Sequence, residues 1–199
     1  MKSLNDITFS LLTNPGGLNI VFVGNSKNLL GSKLGETINS YDMVVRFNNY
    51  EIAGFEEDVG DKVHFLARRS CSDVKLFPAT NFLKILNFIT YGRHTEGMKI
   101  VARNLLGFYK DKLLNISEIE CASLGRAMEL DQPHKEWASI GALAIGWFCK
   151  NLPNNKYAAC GFDFLRSDSH YFKLQPKDAQ FHNSDKEEKY LRSLPVDFF

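Results

Sequence analysis

Short apolar runs alternate with segments of helical spacing along most of this chain. Five runs have the composition of buried strands, at residues 19–23, 43–46, 62–67, 99–102 and 156–161. The first run has no polar face at 20–23, which is typical of a parallel sheet covered on both sides. Helical spacing appears in 115–130, after Ser139 and in 185–194. The pattern predicts an α/β fold with a mainly parallel, doubly wound sheet, in one domain over residues 1–199 that includes a lead-in segment at 1–17.

Polar side chains follow the first two predicted strands, at the point where each strand ends. Gly24, Asn25 and Ser26 come directly after the first strand, and Asn48 comes shortly after the second. A glycine lets the backbone turn sharply and approach a ligand. Open α/β sheets bind their ligands at the carboxyl ends of the strands, so these amides and this hydroxyl are candidate ligand contacts.

Two other interpretations of this region stay open. A nicotinamide dinucleotide site normally has G-x-G-x-x-G after the first strand and an acidic residue after the second, but the glycines here are Gly24, Gly31 and Gly35. Arg46, at the end of the second strand, could meet the 2′-phosphate of an NADP-type ligand. The region could also be an ordinary strand, turn and helix with no ligand.

A second candidate region begins at Ser139, which precedes a long apolar helical run. Ser139 can cap this helix, and the small residue Gly141 leaves the first-turn amides open, which suits a phosphate. A capped core helix without a ligand is the alternative. Two histidines, His170 and His182, follow the last predicted strand, so they are expected on the carboxyl side of the sheet. Either histidine could instead be an ordinary surface residue.

Composition excludes several partners. Lys and Arg number 24 against 23 Asp and Glu, so no strongly basic face for nucleic acid is expected. No apolar run approaches the roughly 20 residues that span a bilayer, and residues 1–17 lack the features of a signal peptide. A soluble chain without a transmembrane segment is expected, and peripheral membrane contact remains compatible with the sequence.

The four cysteines show no spacing typical of a zinc site. They are Cys71, Cys121, Cys149 and Cys160. Buried free thiols in a reducing compartment are the expected state.

Four groups of short motifs follow one another between residues 19 and 190. The groups are 23–26 with 42–48 and 54–60, then 139–141 with Cys149 and 157–162, then 170–172, and finally His182 with Glu187 five positions later. In this order they resemble the four sialylmotifs of the eukaryotic-type sialyltransferase family. The members of that family use CMP-sialic acid as a donor.

The resemblance implies a Rossmann-like domain of the GT-A-like variant that occurs in sialyltransferases. It also implies a nucleotide-sugar donor and a glycan acceptor as partners, with no further cofactor. Donor contacts carried over from the motifs involve Asn25, Ser26 and Asn48, which would hold the cytidine, ribose and phosphate. Ser139 and Gly141 would contact the nucleotide at their helix start.

The two histidines acquire roles from the same resemblance. His170 would bind or protonate the leaving phosphate, and His182 would act as base on the acceptor hydroxyl. Histidines can supply both functions near neutral pH. Direct displacement implies inversion at the anomeric carbon. The chain has no Asp-x-Asp motif, and a monophosphate leaving group carries less charge than a diphosphate, so no metal is expected.

Three positions depart from the family pattern. Ile140 stands where the family usually has Thr, and Lys173 stands where the third motif normally ends in an acid. Ile20 replaces the cysteine that in secretory-pathway members pairs with the position of Cys149. The loss of that partner predicts a cytoplasmic enzyme of microbial or viral origin, unless an anchor has been removed.

Two alternatives to sialic acid transfer stay open. The donor could be another CMP-activated acid such as CMP-Kdo. The chain could also be a non-catalytic domain that binds a nucleotide or a glycan. The presence of both His170 and His182 favours an enzyme, because a binding domain has no need of both.

Overall fold

The computed structural model describes residues 17–69, 84–89, 113–131, 136–164, 166, 169–174 and 182–199. Seven strands form one sheet: β1 (Asn19–Val23), β2 (Met43–Phe47), β3 (Phe65–Arg69), β4 (Lys84–Phe88), β5 (Leu113–Ile116), β6 (Lys156–Cys160) and β9 (Val196–Phe198). Their order across the sheet is β5-β4-β3-β2-β1-β6-β9, and every neighbouring pair is parallel. The prediction of an α/β fold with a mainly parallel sheet is confirmed.

The strand order reverses direction at β1. From β1 the chain adds β2 to β5 on one side, and β6 and β9 on the other side. The carboxyl ends of β1 and β6 therefore lie side by side at a topological switch point, which is where ligands bind in sheets of this kind. A separate antiparallel hairpin, β7 (Ser169–His170) with β8 (Lys173–Leu174), follows β6.

In the described ranges, five α-helices lie between the strands. They are α1 (Gly35–Asn39), α2 (Glu56–Val59), α3 (Glu118–Ala127), α4 (Ile140–Asn151) and α5 (Ser184–Arg192). α4 is apolar on most sides because it lies in the core, whereas α5 is mostly charged and buries Glu187 and Leu191. None of the helices in the described ranges has the length and apolar composition needed to cross a membrane.

Alternate residues of β1 contribute to different sides of the core. Ile20 and Phe22 belong to the larger apolar cluster, in which Phe22 packs edge to face against Phe148 of α4. Val21 and Val23 belong to a second cluster with Ile38 of α1. Side chains of a strand point alternately to opposite faces, so both faces of the sheet are covered, as the uninterrupted apolar run predicts.

Several predicted boundaries differ from the observed ones. β3 begins at Phe65 rather than at residue 62, since the preceding His64 uses its ring to accept a hydrogen bond from Val44 N at 3.0 Å. The helix predicted over 115–130 begins only at Glu118, because Ser117 caps it in a capping box and the residues before it form β5. Within the sheet, β4, β5 and β9 were not predicted as strands. The run at 99–102 and residues 1–16 of the lead-in lie outside the described residues, and a single domain over 1–199 stays a prediction.

Candidate functional site

The ends of β1 and β6 meet closely at the switch point. Gly24 N donates to Cys160 O at 2.8 Å, and Ser26 N donates to Gly161 O at 3.0 Å. A Cβ atom on Gly24 would lie 2.2 Å from the carbonyl oxygen of Gly161, so this crossing requires a glycine. Gly161 itself has a φ of +70°, which favours glycine as well. The two turns thereby bring the residues after β1 and β6 to one edge of the sheet.

Two asparagine side chains lie at this edge with a free acceptor each. Asn25 Nδ2 donates to Phe47 O at 3.0 Å, and Asn48 N donates to Ala67 O at 2.9 Å. The side-chain oxygens of Asn25 and Asn48 are buried and have no donor among the residues that the structure describes. Burying a polar atom without a partner costs free energy, so a ligand that offers amine or hydroxyl hydrogens at this edge would relieve that cost.

The β7–β8 hairpin places His170 against the same turn. His170 pairs with Ser26 in an isolated antiparallel bridge, and Tyr171 N donates to Asn25 O at 3.0 Å. The hydroxyl of Tyr171 also bonds to the carbonyl of Glu51, which fixes the hairpin from the other side. Burial lowers the pKa of His170, and the charge of Asp163 acts in the opposite direction. The ring is therefore neutral at pH 7, and its buried Nδ1 has no partner within the described part of the chain.

Ser139 begins α4 as predicted, and its side chain is fully engaged within the protein. The hydroxyl accepts from Ala142 N at 3.1 Å and donates to Glu187 Oε2 at 2.6 Å, while Ser139 N donates to Glu187 Oε1 at 2.9 Å. The hydroxyl hydrogen is thus used for Glu187. Contact of this residue with a nucleotide stays a prediction.

Gly141 links the start of α4 to the sheet edge. A Cβ atom on Gly141 would lie 2.7 Å from Cε1 of Phe162, so the absence of a side chain lets this ring pack against the helix. Phe162 in turn packs edge to face on Phe47, with ring centroids 5.5 Å apart. Because Phe47 precedes Asn48, the helix start and the end of β2 are joined through one aromatic contact.

Two oxygen atoms of other residues lie near the same ring nitrogen of His182. Its Nδ1 lies 2.7 Å from Trp137 O and 3.6 Å from Glu187 Oε1, and 16% of the side chain is exposed. A carbonyl oxygen can only accept, so Nδ1 carries the hydrogen and Nε2 of the neutral ring keeps its lone pair. Asn183, not His182, caps α5, since Asn183 Oδ1 accepts from Lys186 N at 3.1 Å.

Arg46 does not lie at the ligand edge, which removes the basis for an NADP-type site. Its side chain is almost fully buried and donates to Lys62 O, Val59 O and Gly60 O at 2.9, 2.7 and 3.1 Å. Burial lowers the pKa of Arg46. These hydrogen bonds hold the loop after α2 against the Arg46 side chain of β2.

Sequence reasoning missed two features of the site. It noted Glu187 only by its spacing from His182, whereas the carboxylate contacts both His182 and Ser139. It also gave Phe162 no role. The short spacing to His182 was the available signal for Glu187, and nothing in the sequence pointed to the pairing of Phe162 with Gly141.

The described cysteines carry free thiols, and the described acidic residues are not grouped with other metal ligands. Cys121, Cys149 and Cys160 are free, and burial raises the pKa of each thiol to about 12. Cys71 lies outside the described residues, so a fully reduced set of four stays a prediction. Within the described ranges, no three His, Cys, Asp or Glu residues form a group that could hold a metal ion.

Comparison with known proteins confirms the resemblance to sialyltransferases. The model of glycosyltransferase family 29 (sialyltransferase) matches residues 19–104. The human CMP-N-acetylneuraminate-beta-galactosamide-alpha-2,3-sialyltransferase 4 is 55% identical over 42 residues, which is 21% of this chain and 13% of that protein. The mouse type 2 lactosamine alpha-2,3-sialyltransferase is 47% identical over 45 residues, 23% of this chain and 14% of that protein. The matched region thus spans about an eighth of the length of these relatives.

A solved structure supports the fold over the whole chain. The crystal structure of a mammalian sialyltransferase in complex with Gal-beta-1-3GalNAc-ortho-nitrophenol matches 100% of this chain and 79% of its own, with a TM-score of 0.71 and 21% identity. The Rossmann-like fold is therefore shared with that protein.

The predicted location is wrong. A cytoplasmic enzyme of microbial or viral origin was expected because Ile20 replaces a cysteine. The matched relatives are instead proteins of mammals and of rice, and the matched structure is mammalian, which points to the secretory pathway. Free thiols at Cys149 and Cys160 therefore follow from burial and from the absent partner cysteine, and they do not report a reducing compartment.

Proposed function

We propose that this chain, a member of the sialyltransferase family, is an inverting, metal-independent glycosyltransferase that moves sialic acid from CMP-sialic acid to a glycan hydroxyl. The observation that carries the proposal is the contact of His182 Nδ1 with Trp137 O at 2.7 Å. Because a carbonyl oxygen only accepts, this contact assigns the hydrogen to Nδ1 and leaves Nε2 to act as the base. Glu187 connects this ring to the start of α4, and α4 reaches the sheet edge through Gly141 and Phe162.

The donor nucleotide would bind across the edge formed by β1, β2 and β6. The free side-chain oxygens of Asn25 and Asn48 suit the amine and hydroxyl hydrogens of a cytidine nucleotide. Ser26 contributes to this edge by its position after β1. The backbone amides of Ile140 and Gly141, in the first turn of α4, would suit the phosphate.

The transfer step needs a deprotonated alcohol on one face of the anomeric carbon. Nε2 of His182 would take the proton of the acceptor hydroxyl as its oxygen forms the new bond and the bond to the CMP phosphate oxygen breaks. Attack from the face opposite the leaving group inverts the anomeric centre. The carboxylate of Glu187, 3.6 Å from Nδ1, favours the positive charge that the ring then carries.

His170 would act on the other side of the donor. The neutral ring can donate a hydrogen bond from one nitrogen to the departing phosphate, as its placement beside Ser26 supports. A monophosphate carries less charge than a diphosphate, so a histidine and backbone amides are sufficient for it. Independence from metal and from any further cofactor is part of the proposal.

A donor panel tests the proposed function. The purified protein is incubated with a galactose-terminated acceptor and CMP-sialic acid, CMP-Kdo or no donor, with and without excess EDTA, and CMP release and the glycan product are measured. We expect product with CMP-sialic acid, at the same rate in EDTA. Faster transfer from CMP-Kdo would reassign the donor, and CMP binding without any product would indicate a non-catalytic binding domain. Loss of activity in EDTA with recovery in Mg²⁺ or Mn²⁺ would overturn the metal-free mechanism.

A further inference from the structure

The segment 136–139, which leads into α4, lies along the start of α5. Glu136 Oε1 accepts from Asn183 Nδ2 at 2.7 Å, and Glu136 Oε2 accepts from Lys186 Nζ at 2.7 Å. Trp137 O meets His182 Nδ1, also at 2.7 Å. Glu136 and Trp137 thus contact Asn183 and His182, respectively.

We propose that Glu136 is a positioning residue for His182, an inference that rests on the function proposed above. The bond from Asn183 to Glu136 lies next to the bond between His182 and Trp137, because 136 and 137 are neighbours in one stretch and 182 and 183 are neighbours in the other. A fixed Glu136 therefore holds the Trp137 carbonyl at hydrogen-bond distance from Nδ1. This contact keeps the proton on Nδ1 and leaves Nε2 as the acceptor.

The amide of Asn183 is oriented for this task. Its oxygen is used to cap α5 by accepting from Lys186 N, so its nitrogen is the atom left to face Glu136. The same side chain therefore caps the first turn of α5 and also forms a hydrogen bond to Glu136 in the 136–139 segment.

The carboxylate of Glu136 is ionised at neutral pH. Hydrogen bonds from Lys186 and Asn183 lower the pKa of Glu136 to about 2. The side chains of Glu136 and Lys186 are 22% and 35% exposed, and partly exposed pairs of this kind stabilise a fold only weakly. A positional effect on the neighbouring histidine is therefore expected to exceed the effect on stability.

The chain offers a matched control. Lys189 of α5 pairs with Glu129 at 3.4 Å, and this exposed pair also joins α5 to another part of the chain. Neither residue of this pair belongs to the 136–139 segment, although Asp131 N, two positions after Glu129, donates to Glu136 Oε2 at 3.0 Å. Removing Glu129 therefore tests loss of an ion pair on the same helix without loss of the contact beside His182.

The test compares Glu136→Ala, Glu136→Gln and Glu129→Ala with the unchanged protein. Nitrogen-15 NMR of the His182 ring, assigned with His182→Gln, reports the tautomer, and kinetics give kcat and KM. In Glu136→Ala we expect a mixture of Nδ1–H and Nε2–H forms and a fall in kcat of about 10-fold at unchanged CMP affinity, since a misplaced group costs up to roughly 10²-fold. Glu136→Gln should restore most of the Nδ1–H tautomer and most of kcat, because its amide oxygen still accepts a hydrogen bond. Glu129→Ala should change neither.

Other outcomes would overturn the inference. A single Nδ1–H tautomer with normal kcat in Glu136→Ala would show that Glu136 is only part of a surface ion pair, as would equal losses in Glu129→Ala. If Glu136→Ala does not fold, Lys186→Met removes the cation and is expected to give a smaller change of the same kind. If the unchanged protein transfers nothing, the tautomer measurement still decides the inference separately from the proposed function.

Discussion

Asn25 and Asn48 take their positions from the ends of two strands, whereas His182 takes its position from side-chain contacts. The strand ends are fixed by parallel pairing of β1 with β2 and β6 in a defined register. The ring of His182 is fixed by one carbonyl oxygen and one carboxylate from outside the sheet. The backbone thus builds the proposed donor side of the site, and a small network of side chains builds the proposed catalytic side.

This difference predicts how substitutions on each side should affect the site. On the donor side, a substitution removes one contact while the strand ends keep their places. On the catalytic side, a substitution can move the ring without any change in the fold.

Replacing His182 should have the largest effect. His182→Ala should lower turnover by about 10²- to 10⁴-fold because a positioned base is lost, while CMP affinity stays nearly unchanged. His170→Ala should weaken CMP binding as well, since its proposed partner is the phosphate. The measurements are turnover, CMP affinity and Tm on the same purified proteins.

A stability control separates this result from general damage. Ser117→Ala removes the cap of α3, whose Ser117 Oγ accepts from Glu120 N, and should lower Tm without changing turnover per folded molecule. Near-normal turnover in His182→Ala would contradict the assignment of His182 as the general base.

Adding one methyl group at Gly141 should destabilise the junction between the two sides. The new Cβ would lie 2.7 Å from Phe162 Cε1, and Phe162 is held edge to face between Phe47 and Phe198, so the ring has little room to move. Gly141→Ala should lower the free energy of unfolding by about 1–3 kcal/mol, the usual cost of overpacking. Denaturant unfolding measures this change in the free energy of unfolding.

The matching double variant identifies the cause. Phe162→Leu removes the clashing ring edge, so the cost of Gly141→Ala should be smaller in the Phe162→Leu background. Equal costs in both backgrounds would mean that the clash with Phe162 is not the reason.

Much of the fold followed from the sequence because strand runs and helix caps are local signals. The runs at β1, β2 and β6 were predicted nearly to the residue, and Ser117 and Ser139 cap α3 and α4 as their positions indicated. β9 was not predicted because it has only three residues, one of them the exposed Asp197, and such a short run carries no periodic pattern.

The site was predictable only where it follows from strand ends. Asn25 and Asn48 could be placed at one edge because parallel strands end on the same side. The contacts of Glu187 with Ser139 and of Glu136 with Lys186 join residues 48 and 50 positions apart, and no local pattern encodes such a pairing. Arg46 was a candidate only for the alternative NADP-type site, and its buried guanidinium donates to backbone carbonyls instead.

Removing the free acceptor of Asn48 should weaken CMP binding moderately. Asn48 has a φ of +48°, so alanine would add backbone strain, whereas glycine keeps this conformation without cost. Asn48→Gly should weaken CMP about 3- to 10-fold, the net worth of roughly one hydrogen bond, and reduce the thermal protection by CMP accordingly. Calorimetric titration and melting with CMP measure both. Unchanged affinity would remove Asn48 from the donor site.

The smallest expected effect is a pH dependence of stability that comes from His64 and His170, two histidines that contact the strands or the turn after β1. Burial lowers the pKa of His64, assisted by the charge of Lys62, and burial also lowers the pKa of His170. Their pKa values in the folded protein lie below the unfolded value of 6.5, so below pH 6.5 the unfolded chain binds more protons. Stability should therefore be full above pH 6.5 and decrease as the pH falls below it.

The ring contacts decide which histidine contributes more to this decrease. His64 Nδ1 accepts from Val44 N at 3.0 Å, so protonation would replace an acceptor by a donor and break that bond. The asparagine oxygen of His64→Asn can accept the same hydrogen bond but does not titrate. We expect Tm to fall by a few degrees between pH 7.5 and 5.5 in the unchanged protein, by less in His64→Asn, and by an intermediate amount in His170→Asn, whose Asp163 neighbour opposes the shift. An identical fall in all three proteins would place the acid sensitivity in other groups.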